Sequence, residues 1–300
     1  MKLNRVKRRV HAPIFLNCFS RGGSNILWNV FLSHPEVCSP IRETLQIFSL
    51  QWRALTLAGV GAALRSGQPR LFDQWHLQER RPLNNSAADY IDRVLKERQA
   101  LTFDDAEMRY KNESETYTAA EVDAARLCAK NNNGLVFLTP LLEELYPDAT
   151  FFALVREPVA LYESHKRRGL TRSPEEFVRF YNCIGERMAG DADRLERAFI
   201  VRFEDVLQSP VETAERLYAQ ADLDIGRLDK LRFKSKAHFR ADGSRGAAWA
   251  EGSHRWLAFD EVNEFLVGGV NDVQAARLEN QERDAVLAGT EALRKRLGYA

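Results

Sequence analysis

Ala12-Pro13-Ile14-Phe15-Leu16-Asn17-Cys18-Phe19 is a short, nearly all-apolar run. It breaks into Ser20-Arg21-Gly22-Gly23-Ser24-Asn25, after which Ile26, Leu27, Val30 and Phe31 recur at helical spacing as far as His34-Pro35. Strand, glycine turn, helix is the reading. The same grammar recurs downstream. Ala125–Ala129 is a second short buried run, ending at Lys130 and three asparagines, and Leu138, Leu141, Leu142 and Leu145 form a helical stripe stopped by Pro147-Asp148. Thr150-Phe151-Phe152-Ala153-Leu154-Val155 is the strongest strand signal; it ends at Arg156-Glu157-Pro158, and a helix through Ser164 and Arg167 follows. Ser173-Pro174-Glu175-Glu176 and Ser209-Pro210-Val211-Glu212 both read as capping boxes with proline at the first helical position. Phe199–Phe203 between them is a further strand. Strands alternating with helices predict an α/β fold, a central parallel sheet flanked by helices. Such a sheet offers its ligand site at the carboxyl ends of the strands, where Ser20–Asn25, Lys130 and Arg156 fall.

Two stretches depart from the alternation. Residues 45–123 are helix-leaning, with Ser86-Ala87-Ala88-Asp89 resembling an N-cap before Tyr90, Ile91, Val94 and Leu95, and read as a helical insertion within one domain of residues 1–300. Between Gly226 and Arg245, seven basic residues stand against Asp229 and Asp242, which predicts a mobile basic loop.

The 300 residues are 45% hydrophobic and 28% charged with a net charge of +1, a balance that excludes a strongly basic nucleic-acid coat and an acidic disordered tail. No run approaches the ~18 apolar residues of a membrane-crossing helix. The basic residues 2–9 precede an apolar run, but Arg21 interrupts it and no small-x-small site follows, so no secretory signal is expected. Four cysteines without a C-x-x-C pair argue against a disulfide framework or a zinc site and for a cytoplasmic address.

The Ser20–Asn25 turn is a phosphate cradle in physical terms. Glycines let the backbone approach an anion, and the helix N-terminus adds about half a positive charge. Arg21 adds a mobile cation, and Ser24 and Asn25 add side-chain donors. Taken alone, the element reads equally as an ordinary tight turn. A nucleoside-triphosphate loop needs Lys before its Ser/Thr; here Gly23 stands there. Arg156, at a strand end, and Ser164, two turns along the next helix, both fit one anionic group beside that loop.

The pairing of Phe19-Ser20-Arg21-Gly22-Gly23-Ser24-Asn25 with Val155-Arg156-Glu157-Pro158 and Ser164 resembles the sulfotransferases that use 3′-phosphoadenosine 5′-phosphosulfate (PAPS), a P-loop-like fold. His34-Pro35-Glu36-Val37, Tyr146-Pro147-Asp148-Ala149, Val201–Val206 and Leu297-Gly298-Tyr299 fall in the family's order, so the resemblance spans nearly the whole chain outside the insertion. It departs where Gly22 replaces a serine and Ser24-Asn25 replace two threonines. The resemblance implies that Arg21, Gly22, Gly23, Ser24 and Asn25 hold the 5′-phosphosulfate, and Arg156 and Ser164 the 3′-phosphate. It implies Glu43, in Arg42-Glu43-Thr44, as the base, as in tyrosylprotein-type members, with Arg21 and Lys130 as electrostatic helpers and no metal. The basic C-terminal loop has two rival matches, Gly243-Ser244-Arg245-Gly246, which makes Arg245 a nucleotide contact, and Gly252–Trp256. Histidine is the runner-up base: His34 reads as structural, His165 is expected to face elsewhere on its helix, and His254 requires its loop to fold over the site. Glu204 and Asp205, adjacent at a strand end, read as structural. The resemblance implies an acceptor hydroxyl or amine, with carbohydrate, lipid, small molecule and peptide all open; no nucleic acid is expected. Two other readings stay open, a kinase on a related P-loop sheet and a non-catalytic nucleotide-binding protein.

Overall fold

A computed structural model describes residues 8–44, 85–235, 238–239, 245–247, 249–266 and 269–299. Its central element is a five-stranded parallel sheet with helices against it. In chain order the elements begin with β1 (Ile14–Cys18), α1 (Ser24–Leu32), β2 (Val37–Cys38), α2 (Asn85–Ala100), α3 (Ala119–Ala124) and β3 (Arg126–Asn132). Then come α4 (Thr139–Leu145), β4 (Thr150–Val155), α5 (Pro158–Arg167), α6 (Pro174–Arg194), β5 (Ala198–Arg202), α7 (Phe203–Gln208) and α8 (Pro210–Gln220). The C-terminal part carries β6 (Lys230–Lys234), β7 (His238–Phe239), β8 (Arg245–Gly246), β9 (His254–Ala258), α9 (Phe259–Phe265), α10 (Val270–Ala275) and α11 (Asn280–Arg296). The sheet order is β2-β3-β1-β4-β5. Every residue of β1 and β4 is buried, which is why both read as nearly continuous apolar runs.

The chain partitions into two units. The first comprises residues up to Cys18, Pro35–Ala153 and Gly190–Phe199. Here β1 and β3 run in parallel register from Ile14 opposite Cys128 to Cys18 opposite Asn132. The strand β3 therefore continues two residues past Lys130, because β1 offers ladder partners that far. Its polar end is internally satisfied: Asn17, 1% exposed, donates to Thr139 Oγ1 at 2.8 Å and accepts from Asn131 Nδ2 at 3.1 Å. On α2, Ala88, Ile91, Val94 and Leu95 are buried in a helical stripe, and Asp92 accepts from the backbone of Arg9 and Val10 and from the Tyr146 hydroxyl. Of the anticipated insertion, 45–84 lies outside the described residues, whereas 85–123 holds α2 and most of α3.

The second unit comprises Phe19–His34, Leu154–Ala189 and the chain from Ile200. The basic stretch predicted to be a mobile loop is in part a strand. The five residues of β6 pair antiparallel with β9, and Leu231, Arg232 and Phe233 are buried. Apolar residues alternate with the charges there, a half-buried strand pattern that the charge count obscured. Ser173 caps α6, its Oγ accepting from the Glu176 N–H at 3.2 Å. The Ser209 side chain makes no such bond: its N–H closes α7 onto Asp205 at 3.0 Å while its carbonyl accepts from the Thr213 N–H at 2.9 Å, so the residue ends one helix and starts the next through its backbone alone. Glu204 and Asp205 lie in the first turn of α7, not at a strand end.

Candidate functional site

Within the second unit the chain turns at Phe19–Gly22, the Gly22 N–H donating to the Phe19 carbonyl at 3.1 Å. Arg21 takes a left-handed φ of 66° and Gly23 one of 91°. Gly23, the N-cap residue, has no side chain with which to cap α1, and the helix's own first turn holds no carboxylate to offset its dipole. Gly23 is required twice over, since a Cβ there would lie 2.2 Å from Phe203 Cδ2 and the φ is unfavourable for any L side chain. Gly23→Ala is expected to cost about 2–4 kcal/mol, adding left-handed strain to overpacking; chemical denaturation measures it, and an unchanged midpoint contradicts it.

Arg156, at the β4 end, is 4% exposed. Its Nη1 donates to the Arg21 carbonyl at 2.9 Å, and its guanidinium lies over the Phe203 ring, 4.5 Å from the centroid. The remaining donors go to α10: Nε and Nη2 to Asn271 Oδ1 at 2.9 and 2.7 Å, and Nη2 to Gln274 Oε1 at 2.5 Å. Burial pulls this guanidinium down to about 10, against the raising influence of Glu204 and Glu157; it stays charged at neutral pH. Ser164, on α5, accepts from Arg21 Nε at 3.4 Å. Arg21, Arg156 and Ser164, from three separate elements, are thus brought together. The Tyr181 ring stacks on Phe19 at 4.8 Å while its hydroxyl donates to the Arg156 carbonyl at 3.0 Å, which ties turn to strand end. Burial first, then the neighbouring Arg168 and Arg167, lower the Arg21 pKa, partly offset by Glu163.

His165 corrects its expectation. Its Nε2–H donates to the Ser20 carbonyl at 2.9 Å, so Ser164 and His165 both reach a turn that wraps past α5. Burial first, then Arg21 and Arg156, lower its pKa despite the Ser20 bond. Below the unfolded imidazole value of about 6.5, the unfolded chain takes up a proton that the folded one resists. Stability is therefore expected to fall with pH from there down to the folded value. His165→Gln flattens this slope in denaturation curves at several pH values; an unchanged slope contradicts the assignment.

Glu204, read as structural, is a hub. It accepts from the Glu157 N–H at 3.0 Å, from Asn271 Nδ2 at 2.5 Å and from the Tyr299 hydroxyl at 2.9 Å. Asp205 instead pairs with Arg202 at 2.6 Å. His34 is structural as expected, fully buried and bonded to the Asp224 carbonyl at 3.1 Å. Arg245 lies on β8 opposite Phe239; its side chain is outside the described residues. His254 is on β9, opposite Lys234. The sequence carries no signal for Asn271 and Gln274, an ordinary polar pair three residues apart.

In the first unit, Glu43 and Lys130 meet. Lys130 Nζ is 2.7 Å from Glu43 Oε1, the side chains being 1% and 33% exposed. Asn132 Nδ2 donates to Glu43 Oε2 at 2.8 Å, and the Thr44 hydroxyl bonds the Lys130 carbonyl and Asn131 Oδ1. Each Glu43 oxygen thus has one donor and keeps lone-pair capacity for a further proton donor. Lys130 is buried within β3 rather than a solvated strand-end residue. Among the described residues, no group of three or more His, Cys, Asp or Glu could hold a metal ion, and no helix is long and apolar enough to cross a membrane.

A sulfotransferase family profile matches residues 13–226. No curated protein sequence matches the chain. Among solved structures, a sulfotransferase from Alicyclobacillus acidocaldarius is 12% identical with a TM-score of 0.47, over 96% of this chain and 95% of that one. The sulfotransferase domain of a Synechococcus olefin synthase is 16% identical with a TM-score of 0.45, over 76% of this chain and 79% of that one. A Mycobacterium tuberculosis sulfotransferase is 12% identical with a TM-score of 0.47, over 98% of this chain and 78% of that one.

Proposed function

The chain belongs to the sulfotransferase family, and from that premise we propose that it moves a sulfuryl group from PAPS to a hydroxyl or amine acceptor. The observation that carries the reading is the convergence of Arg21, Arg156 and Ser164 beside the turn that starts α1. Two arginines, a hydroxyl and a helix N-terminus form a donor set suited to a doubly phosphorylated nucleotide.

In this reading Gly22, Gly23, Ser24 and Asn25 present backbone and side-chain donors to the 5′-phosphosulfate, and Arg156 and Ser164 serve the 3′-phosphate. Sulfuryl transfer needs in-line placement and charge stabilisation more than covalent help, as phosphoryl transfer does. The acceptor oxygen forms a bond to sulfur as the bond from sulfur to the 5′-phosphate oxygen breaks. The electron pair leaves with adenosine 3′,5′-bisphosphate, and Arg21 balances the charge that develops on that phosphate. Glu43 takes the acceptor's proton, and Lys130 and Asn132 fix its orientation. Arg245 closes on the nucleotide from the C-terminal side. Residues 1–300 act as one sulfotransferase-like domain, with 45–123 as the insertion that shapes acceptor choice among carbohydrate, lipid, small molecule and peptide. Four widely spaced cysteines suit a reducing compartment, so a cytoplasmic address belongs to the same reading.

Titration with adenosine 3′,5′-bisphosphate against ATP·Mg, followed by turnover with PAPS and a panel of hydroxyl acceptors, tests this. Saturable binding of the bisphosphate with sulfuryl transfer is expected. Preference for ATP·Mg would mean a kinase, and bisphosphate binding without transfer to any acceptor a nucleotide-binding protein.

A further inference from the structure

The guanidinium assigned to the 3′-phosphate is already engaged. Asn271 Oδ1 takes its Nε–H and one Nη2–H, and Gln274 Oε1 takes Nη2 as well. This is the edge of the fork with which arginine grips an oxyanion. The Asn271 amide cannot turn over to offer its NH2 to a phosphate instead. Its Nδ2 is bonded to Glu204 Oε1, and reversal would set that NH2 against the guanidinium and the amide oxygen against the carboxylate. The helix carrying both amides, α10, is six residues long and starts from Gly269 at φ 82°. Arg277, just beyond it, stands 3.5 Å from Glu163.

We infer that Asn271 and Gln274 form a latch that occupies, on Arg156, the place of the donor's 3′-phosphate, so that nucleotide binding and withdrawal of α10 are one coupled equilibrium. This rests on the functional reading above. A phosphate displaces the amides because it meets the guanidinium as an ion pair with parallel N–H···O bonds, whereas a neutral amide oxygen offers the cation no opposite charge. The latched population reduces the apparent affinity by the fraction of protein with Arg156 available. A nucleotide without a 3′-phosphate has nothing to exchange for the amides and leaves α10 in place. Asn271 also bonds Glu204, which holds the Glu157 N–H and Tyr299. Release of α10 is thereby felt at the start of α5 and at the C-terminus.

Calorimetric titration of wild type and Gln274→Met with adenosine 3′,5′-bisphosphate and with adenosine 5′-monophosphate tests the latch. Methionine keeps the length and removes the acceptor. The variant is expected to bind the bisphosphate about threefold or more tighter and the monophosphate unchanged. A merely structural role for Gln274 weakens both. Hydrogen exchange is the second measurement: the amides of Val270–Ala275 should exchange faster when the bisphosphate is added and not when the monophosphate is. Equal or weaker bisphosphate binding by the variant, or protection of α10 on binding, overturns the latch and leaves the functional reading standing. Failure of wild type to bind the bisphosphate overturns both.

Discussion

Arg156→Ala is expected to destabilise the protein by about 3–5 kcal/mol, the cost of leaving several buried acceptors without their donor. The deletion leaves the Arg21 carbonyl and the amide oxygens of Asn271 and Gln274 without the donor they share, and it empties the space over the Phe203 ring. Bisphosphate binding is expected to weaken by roughly 10- to 100-fold, the worth of a charge-assisted hydrogen bond. Arg156→Lys separates the two effects: it keeps a charge near the phosphate but loses the fork, so binding recovers in part while stability recovers less. Thermal unfolding and calorimetry measure both quantities. If Arg156→Ala binds the bisphosphate as wild type does, Arg156 serves the fold alone and the 3′-phosphate assignment is wrong.

Glu43→Gln is expected to lower kcat by about 10²–10⁴-fold, the usual contribution of a positioned general base, with bisphosphate affinity unchanged. The isostere preserves a hydrogen-bond acceptor for Lys130 and removes the capacity to hold a proton at neutral pH. Wild-type turnover in this variant would remove Glu43 as the base and direct attention to the histidines. Of these, His165 already donates to Ser20, and His34 is buried against a carbonyl.

The sheet was legible in the sequence because a strand buried on both faces is apolar along most of its length. Ile14–Cys18 and Thr150–Val155 announce themselves in that way. The glycine turn was legible for a related reason: only a residue without a Cβ fits at Gly23, so the constraint is written in the residue itself. Local pattern failed where one residue served two elements or where charge masked alternation. Ser209 carries the letters of a capping box but closes α7. Lys230–Lys234 carries the charges of a loop but buries Leu231 and Phe233 as a strand.

The chain order alone determined that this is an alternating α/β protein with anion-seeking groups at strand ends, because burial and helical periodicity act between near neighbours in sequence. Only the tertiary structure decided what those groups touch. Arg156 meets Asn271 across 115 positions and Gln274 across 118, and Lys130 meets Glu43 across a separation the motif leaves unconstrained. A hydrogen bond is made by whichever oxygen the folded backbone brings within about 3 Å, and residue type says only that a guanidinium must find one.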